Sequence, residues 1–339
     1  MTAVIERLGR IFAFGALLLC ATSATAQNFV YSEPEPTTHF ASAQMDQVFM
    51  QCVKDKSEGN LTFDYFPGGT IASYQQSYDS IRSGVMDIVL FSVGLVSSEL
   101  PLQSVTTLPG TSGSPTESLA AYRKVRSEST ALDDELAGAG LKALMYNPYP
   151  LSQILLNRDA PETLADLAGV KVRIAGGAFF PLYTHMGALP IQMPPGDIYM
   201  SLQQNTLDAA TLPITGVTSY QLDDVLRSVS LNADLAQTAG LVVMRLDRWN
   251  DLDATGQEVF TTCAMQAEDN VARFLEEEVA RTVERLRAAN VVTFEFSAAD
   301  LETLDGYKEA AALEFLERIK ERVPAAQEVY DSLRAALSK

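Results

Sequence analysis

An enzyme needs a nucleophile with its base, a paired acid and base, a metal site or a loop that cradles a cofactor. The two histidines of this 339-residue chain, His39 and His185, lie far apart and lack a partner at metal-ligand spacing. Gly68-Gly69 and Gly176-Gly177 miss the further glycines of a dinucleotide fingerprint and the Lys-Ser/Thr of a phosphate loop, and no G-x-S-x-G elbow occurs. Carboxylates abound, with 43 Asp and Glu against 25 Lys and Arg for a formal net charge of −18, but spacing alone singles out no catalytic pair. The expectation is therefore a non-enzyme with no catalytic residues, no metal and no cofactor. Such acidity repels a phosphate backbone, and no basic run offsets it, which argues against nucleic acid as a partner.

The elements that would position a binding site follow from the apolar pattern. Arg7 and Arg10 precede an apolar run at 11–21, and Ala24-Thr25-Ala26 offers a cleavage site, so residues 1–26 read as a secretory signal and the mature chain as periplasmic. Eleven apolar residues are too few for a bilayer span, which needs about 20. Two cysteines remain after cleavage, Cys52 and Cys263, either closing a long disulfide loop or standing as separate buried thiols. Strands are expected at 28–32, 61–66 and 88–91, with helices at 42–56 and 74–82 between them, the order of an α/β fold with a largely parallel sheet. The same grammar restarts after Tyr149, with strands at 153–156, 170–174 and 207–212 and helices at 179–186 and 198–204.

A short repeat links the two halves. Residues 78–87 and 199–208 both read Tyr, two residues, Ile or Leu, two residues, Gly or Asn, one residue, Met or Leu, Asp. That is a helix ended by a residue tolerant of the left-handed conformation, then a tight entry into a buried strand. A stripe from Val271 to Leu286 predicts a helix of about 20 residues or more, long enough to cross both lobes. A short strand at 293–296 and further helix at 298–337, broken at Pro324, complete the chain. Two α/β lobes without catalytic motifs suggest a protein that closes on a small molecule by hinge motion.

Several stretches then carry a family likeness. Gly169-Val170-Lys171-Val172-Arg173-Ile174, Met186-Gly187-Ala188-Leu189-Pro190, Met193-Pro194 and the run from Asp197 to Asp208 resemble the central signature of the DctP-type solute-binding proteins of TRAP (tripartite ATP-independent periplasmic) transporters. His39, Phe66-Pro67-Gly68-Gly69, the run from Ile81 to Asp87, Leu100-Pro101 and Leu108-Pro109 support it in the same order. The resemblance implies a two-lobed periplasmic-binding-protein-like fold with a long connecting helix. One lobe would comprise 27–149 plus 238–277, the other 150–237 plus 278–339. It implies a receptor that binds an organic acid between the lobes and hands it to TRAP membrane subunits, with a monomer expected over a dimer. Rival readings are a secreted enzyme using carboxylate chemistry in the cleft, and a receptor for a signalling partner.

Arg173 matches the arginine that binds the ligand carboxylate in this family, a role suited to a guanidinium with two parallel donors. Without the family it would read as a strand-end surface residue. The chain also departs from the family pattern. A second arginine of sugar-acid binders is replaced by Ser152 or Gln153, Arg158 being a weaker candidate, and Leu212 stands where an amide is frequent. Pro195 falls where an aromatic is common. These differences imply a smaller or more apolar acid than a sugar acid. Ser92, Tyr74 and Phe179 are further expected pocket positions, and Glu33 or Glu35 would pair with a cationic group on a zwitterionic ligand.

Overall fold

The structure is a computed structural model that describes residues 26–338, so all but the last residue of the secretory-signal reading lies outside the described residues. Ten strands occur among them: β1 (Gln27–Ser32), β2 (Leu61–Phe66), β3 (Ile88–Ser92), β4 (Leu141–Leu156), β5 (Lys171–Ile174), β6 (Leu189–Gln192), β7 (Ala209–Pro213), β8 (Ser228–Ser230), β9 (Gln237–Arg245) and β10 (Val292–Phe294). They form one path in the order β2-β1-β3-β9-β4-β7-β5-β6, with β8 beside the end of β4 and β10 beside β8. The outer pairs β1/β2, β1/β3, β5/β6 and β5/β7 are parallel. The pairs built on β9 and β4 are antiparallel, so the sheet is mixed rather than largely parallel.

β4 is the shared element. Residues Leu141 to Leu151 pair with β9, and Ser152 to Leu156 pair with β7 and β8. Pro148 and Pro150 interrupt its donors where the register shifts between Pro148 and Leu151, which is how a strand tolerates proline. The first half-sheet buries its two faces under separate apolar clusters, one around Phe91, Tyr122 and Phe315, the other around Phe29, Phe49 and Phe260. The second half does the same around Leu182 and Tyr183 on one face and Leu202 and Val217 on the other.

The repeat at 78–87 and 199–208 has the same job in both halves. The helices Tyr74–Arg82 and Ile198–Gln203 end at Gly84 and Asn205, both left-handed, φ 81° and 56°. Asp87 then accepts from Val30 N–H at 2.9 Å while its own N–H reaches Val30 O at 2.9 Å. Asp208 repeats both bonds with Lys171, each at 2.9 Å.

The expected long helix runs over Ala254–Ala288, 35 residues or about 52 Å. Phe260 to Leu275 fill the first half's core, and Val279, Val283 and Leu286 the second's. Cys263 on this helix is bonded to Cys52 of the helix Gln47–Lys56, Cα atoms 5.6 Å apart. The helix Ala298–Ile319 also crosses, from Leu304 in the second core to Phe315 in the first. The final helix Ala326–Leu337 packs Val329, Tyr330 and Leu333 into the first core. Apolar side chains between 312 and 333 thus pack against the first half. Among the described residues no helix is long and apolar enough to cross a membrane.

Candidate functional site

Arg173 stands on β5, between β6 and β7 in the second half-sheet, near the carboxyl end where open α/β sheets hold ligands. Its exposure is only 2%. Nε–H donates to Met193 O at 2.9 Å and Nη1–H to Thr211 O at 3.1 Å, so two backbone carbonyls fix the plane of the guanidinium. These use two of its five donors. No carboxylate of the described residues forms a salt bridge with it, and the group lines a cavity. Burial draws its pKa down to about 10, while Tyr220, Tyr74 and Glu35 pull it back up, leaving the charge intact at neutral pH.

About 440 Å³ of empty space, part of it open to solvent, lies beside Arg173, and both halves build its walls. His39, Phe40, Tyr74, Ser92, Tyr149 and Thr238 come from the first half; Arg173, Ala175, Pro195, Leu212, Pro213, Thr215, Gly216 and Tyr220 come from the second. Leu212 holds its place because Gly216 lacks a side chain: a Cβ there would lie 2.0 Å from Leu212 Cδ2. The Thr215 hydroxyl is buried without a partner among the described residues. The halves also meet as bare backbone beside the cavity, since a Cβ on Gly176 would lie 2.6 Å from Gly94 O.

A buried network joins the two sides. Glu35 Oε1 accepts from Tyr74 Oη–H at 2.9 Å and Tyr220 Oη–H at 2.6 Å. His39 Nδ1 accepts from Ala41 N–H at 3.2 Å, so the ring proton sits on Nε2, which faces the Tyr220 hydroxyl oxygen at 3.3 Å. Burial lowers the His39 pKa, against the pull of Glu35, which keeps the ring neutral. Burial and Glu35 raise the Tyr74 and Tyr220 hydroxyls far above their usual range, so both remain donors. With its acceptor nitrogen occupied, His39 is unavailable as a base. The site is equipped to hold an anion against Arg173 between apolar and hydroxyl-bearing walls.

Of the residues expected from sequence, Arg173, Leu212, Ser92 and Tyr74 line this cavity, and the other four do not. Phe179 is packed with Leu182 and Tyr183 in the second core. Ser152 is fully buried within β4, and Arg158 is exposed on the loop after it. Glu33 is also fully buried, its Oε1 accepting from Glu35 N–H at 2.9 Å and its Oε2 without a hydrogen-bond partner among the described residues. It therefore braces Glu35 from behind and has no face toward a ligand, and Glu35 itself is occupied by two tyrosines. Sequence reasoning missed Tyr149, Thr215, Tyr220 and Thr238. Their one signal was position: Thr215 and Tyr220 follow the end of β7, Thr238 opens β9, and Tyr149 sits between Pro148 and Pro150 within β4.

The model of the bacterial extracellular solute-binding protein family 7, DctP, matches residues 30–317. The 2,3-diketo-L-gulonate-binding periplasmic protein YiaO of Escherichia coli is 23% identical over 292 residues, which cover 83% of this chain and 85% of that protein. The ectoine/5-hydroxyectoine-binding periplasmic protein UehA of Ruegeria pomeroyi is 24% identical over 312 residues, covering 90% and 88%. Among solved structures, the Bordetella pertussis extracytoplasmic solute receptor DctP7, which binds pyroglutamic acid, superimposes with a TM-score of 0.81 at 17% identity. The match covers 91% of this chain and all of that one. With a buried arginine in an inter-lobe cavity, this fold and a family match over most of its length, the chain belongs to the DctP family of extracellular solute-binding proteins.

Proposed function

We propose that this protein is the periplasmic receptor of a TRAP transporter, that it binds a small organic acid in the inter-lobe cavity, and that it delivers the acid to the membrane subunits. The observation that carries the reading is Arg173, a charged guanidinium 2% exposed, fixed by two carbonyls and free of any carboxylate partner among the described residues. An unpaired buried cation is costly, so a site of this kind is built for a counter-ion that arrives with the ligand. Phe40, Pro195 and Leu212 supply apolar walls, which favours a compact or partly apolar acid over a polyhydroxylated one.

A thermal-shift screen tests the assignment, because ligand that binds only the folded chain raises the melting temperature by mass action. Pyroglutamate, 2,3-diketo-L-gulonate and ectoine sample a compact ring acid, a sugar acid and a zwitterion. At least one acid is expected to stabilise the wild type, and Arg173→Ala to abolish that gain while melting cooperatively. An undiminished shift in Arg173→Ala, or stabilisation by neutral sugars and by no acid, would overturn the reading.

A further inference from the structure

We propose that Tyr220 is a positioning residue that latches the two lobes together, its hydroxyl docking on an acceptor and donor pair, Glu35 and His39, that the opposite lobe assembles in advance. The proposal rests on the receptor reading above, in which the halves open and close. Tyr220 stands in the turn after β7 in the second half, together with Thr215 and Gly216. Glu35 and His39 stand in the first half, between β1 and the helix Gln47–Lys56, 185 and 181 residues away in sequence.

The first half needs no help from the second to prepare this receptor. Glu33 holds the Glu35 main chain through Glu35 N–H, Tyr74 directs a hydroxyl at Glu35 Oε1, and Ala41 N–H sets the His39 tautomer. One place remains in the chain of bonds, for a group that both donates to Glu35 Oε1 and accepts from His39 Nε2–H. A phenol hydroxyl does both, and Tyr220 fills it at 2.6 Å and 3.3 Å. The rings support the arrangement, His39 lying 5.6 Å from Tyr220 and 4.2 Å from Phe40.

Because donor and acceptor belong to opposite halves, the bridge exists only when they are together. Its hydrogen bonds are distinct from those of Arg173, which go to Met193 and Thr211 on its own half. Tyr220 therefore favours the closed form whatever acid is bound, and in the absence of any acid. Losing a buried hydroxyl that takes a hydrogen bond from both of its partners lowers the closed-to-open ratio roughly ten-fold or more.

The test is the distance between halves in the ligand-free protein. With Cys52 and Cys263 bonded to each other, Thr70→Cys and Gly196→Cys place spin labels on exposed positions of the first and second half. Pulsed electron resonance is expected to show a short-distance population in the wild type that Tyr220→Phe depletes with little change in melting temperature. Glu35→Gln, which alters the same bond from the other side, is expected to move the distribution the same way. Superimposable distributions for wild type and both variants would overturn the latch. Arg173→Ala separates the two claims. It should keep the wild-type ligand-free distribution while losing acid-induced stabilisation. If it keeps that stabilisation, the Arg173 anchor fails, an outcome distinct from the distance distributions that decide the latch.

Discussion

Glu33 lies two residues from Glu35 and behind it, fully buried with Asp46, which accepts from Tyr31 Oη–H at 2.6 Å and Tyr65 Oη–H at 3.1 Å. Burial pushes the Glu33 carboxyl well above its ordinary 4.5, and the neighbouring Asp46 charge pushes it further. Burial raises the Asp46 carboxyl too, but the tyrosine donors pull it back, so Glu33 is the member that keeps its proton. In the unfolded chain Glu33 ionises above its ordinary value, so the folded state binds the extra proton and stability falls as pH rises from there. Glu33→Gln preserves the shape and the acceptor for Glu35 N–H and removes that dependence. It should raise stability at pH 8 by about 1 kcal/mol or more relative to pH 5. Thermal melts of both proteins across this range check it, and parallel profiles would refute it.

At the scale of elements, the repeated aspartate ties each helix-to-strand turn to the strand beside it. Asp87→Ala leaves Val30 N–H without its carboxylate partner, and Asp208→Ala does the same to Lys171 N–H. Each should lower stability by about 1–2 kcal/mol, the first more because Arg248 also loses one of its carboxylate partners, at 3.0 Å. Urea midpoints measure the loss, and a neutral effect at both sites would make the repeat decorative. This turn was legible in the sequence because helix end, left-handed residue and strand entry are local and each demands its own residue type. β4 was legible only at its end, 153–156, because Pro148 and Pro150 remove donors and the register shifts beside them that accommodate the prolines are set by pairing with β9. β9 was hidden as well: Thr238 and Gly240 interrupt its apolar run, and pairing on both sides holds it in place.

Across the whole molecule, a formal charge of −18 surrounds a site built around one buried cation. Far from the cleft an approaching carboxylate meets the global negative field, and only inside does Arg173 dominate. Added salt screens the former over a Debye length of about 8 Å at physiological strength, against about 30 Å at 0.01 M. Association of the acid should therefore speed up several-fold over that range, with dissociation changing little. Stopped-flow binding at graded ionic strength measures this, and a rate that falls with salt would mean that the positive pocket already governs approach.

What the amino-acid sequence determined by itself is what short-range patterning can encode. The alternation of β2, the apolar run of β3, the paired turns at Gly84 and Asn205 and the stripe of the long helix each follow from burial periodicity and backbone preference within a few residues. Arg173 became a candidate through family resemblance, its chemistry being equally suited to a surface strand end. Only the tertiary structure brought Tyr220 to Glu35 and His39, joined Cys52 to Cys263, and withdrew Glu33 from the cavity to serve as a brace. These outcomes depend on how β4 and the long helix set one half against the other. A hydrogen bond between residues 185 apart leaves no periodic trace in the chain, because its energy arises only once both groups have been buried at the same place.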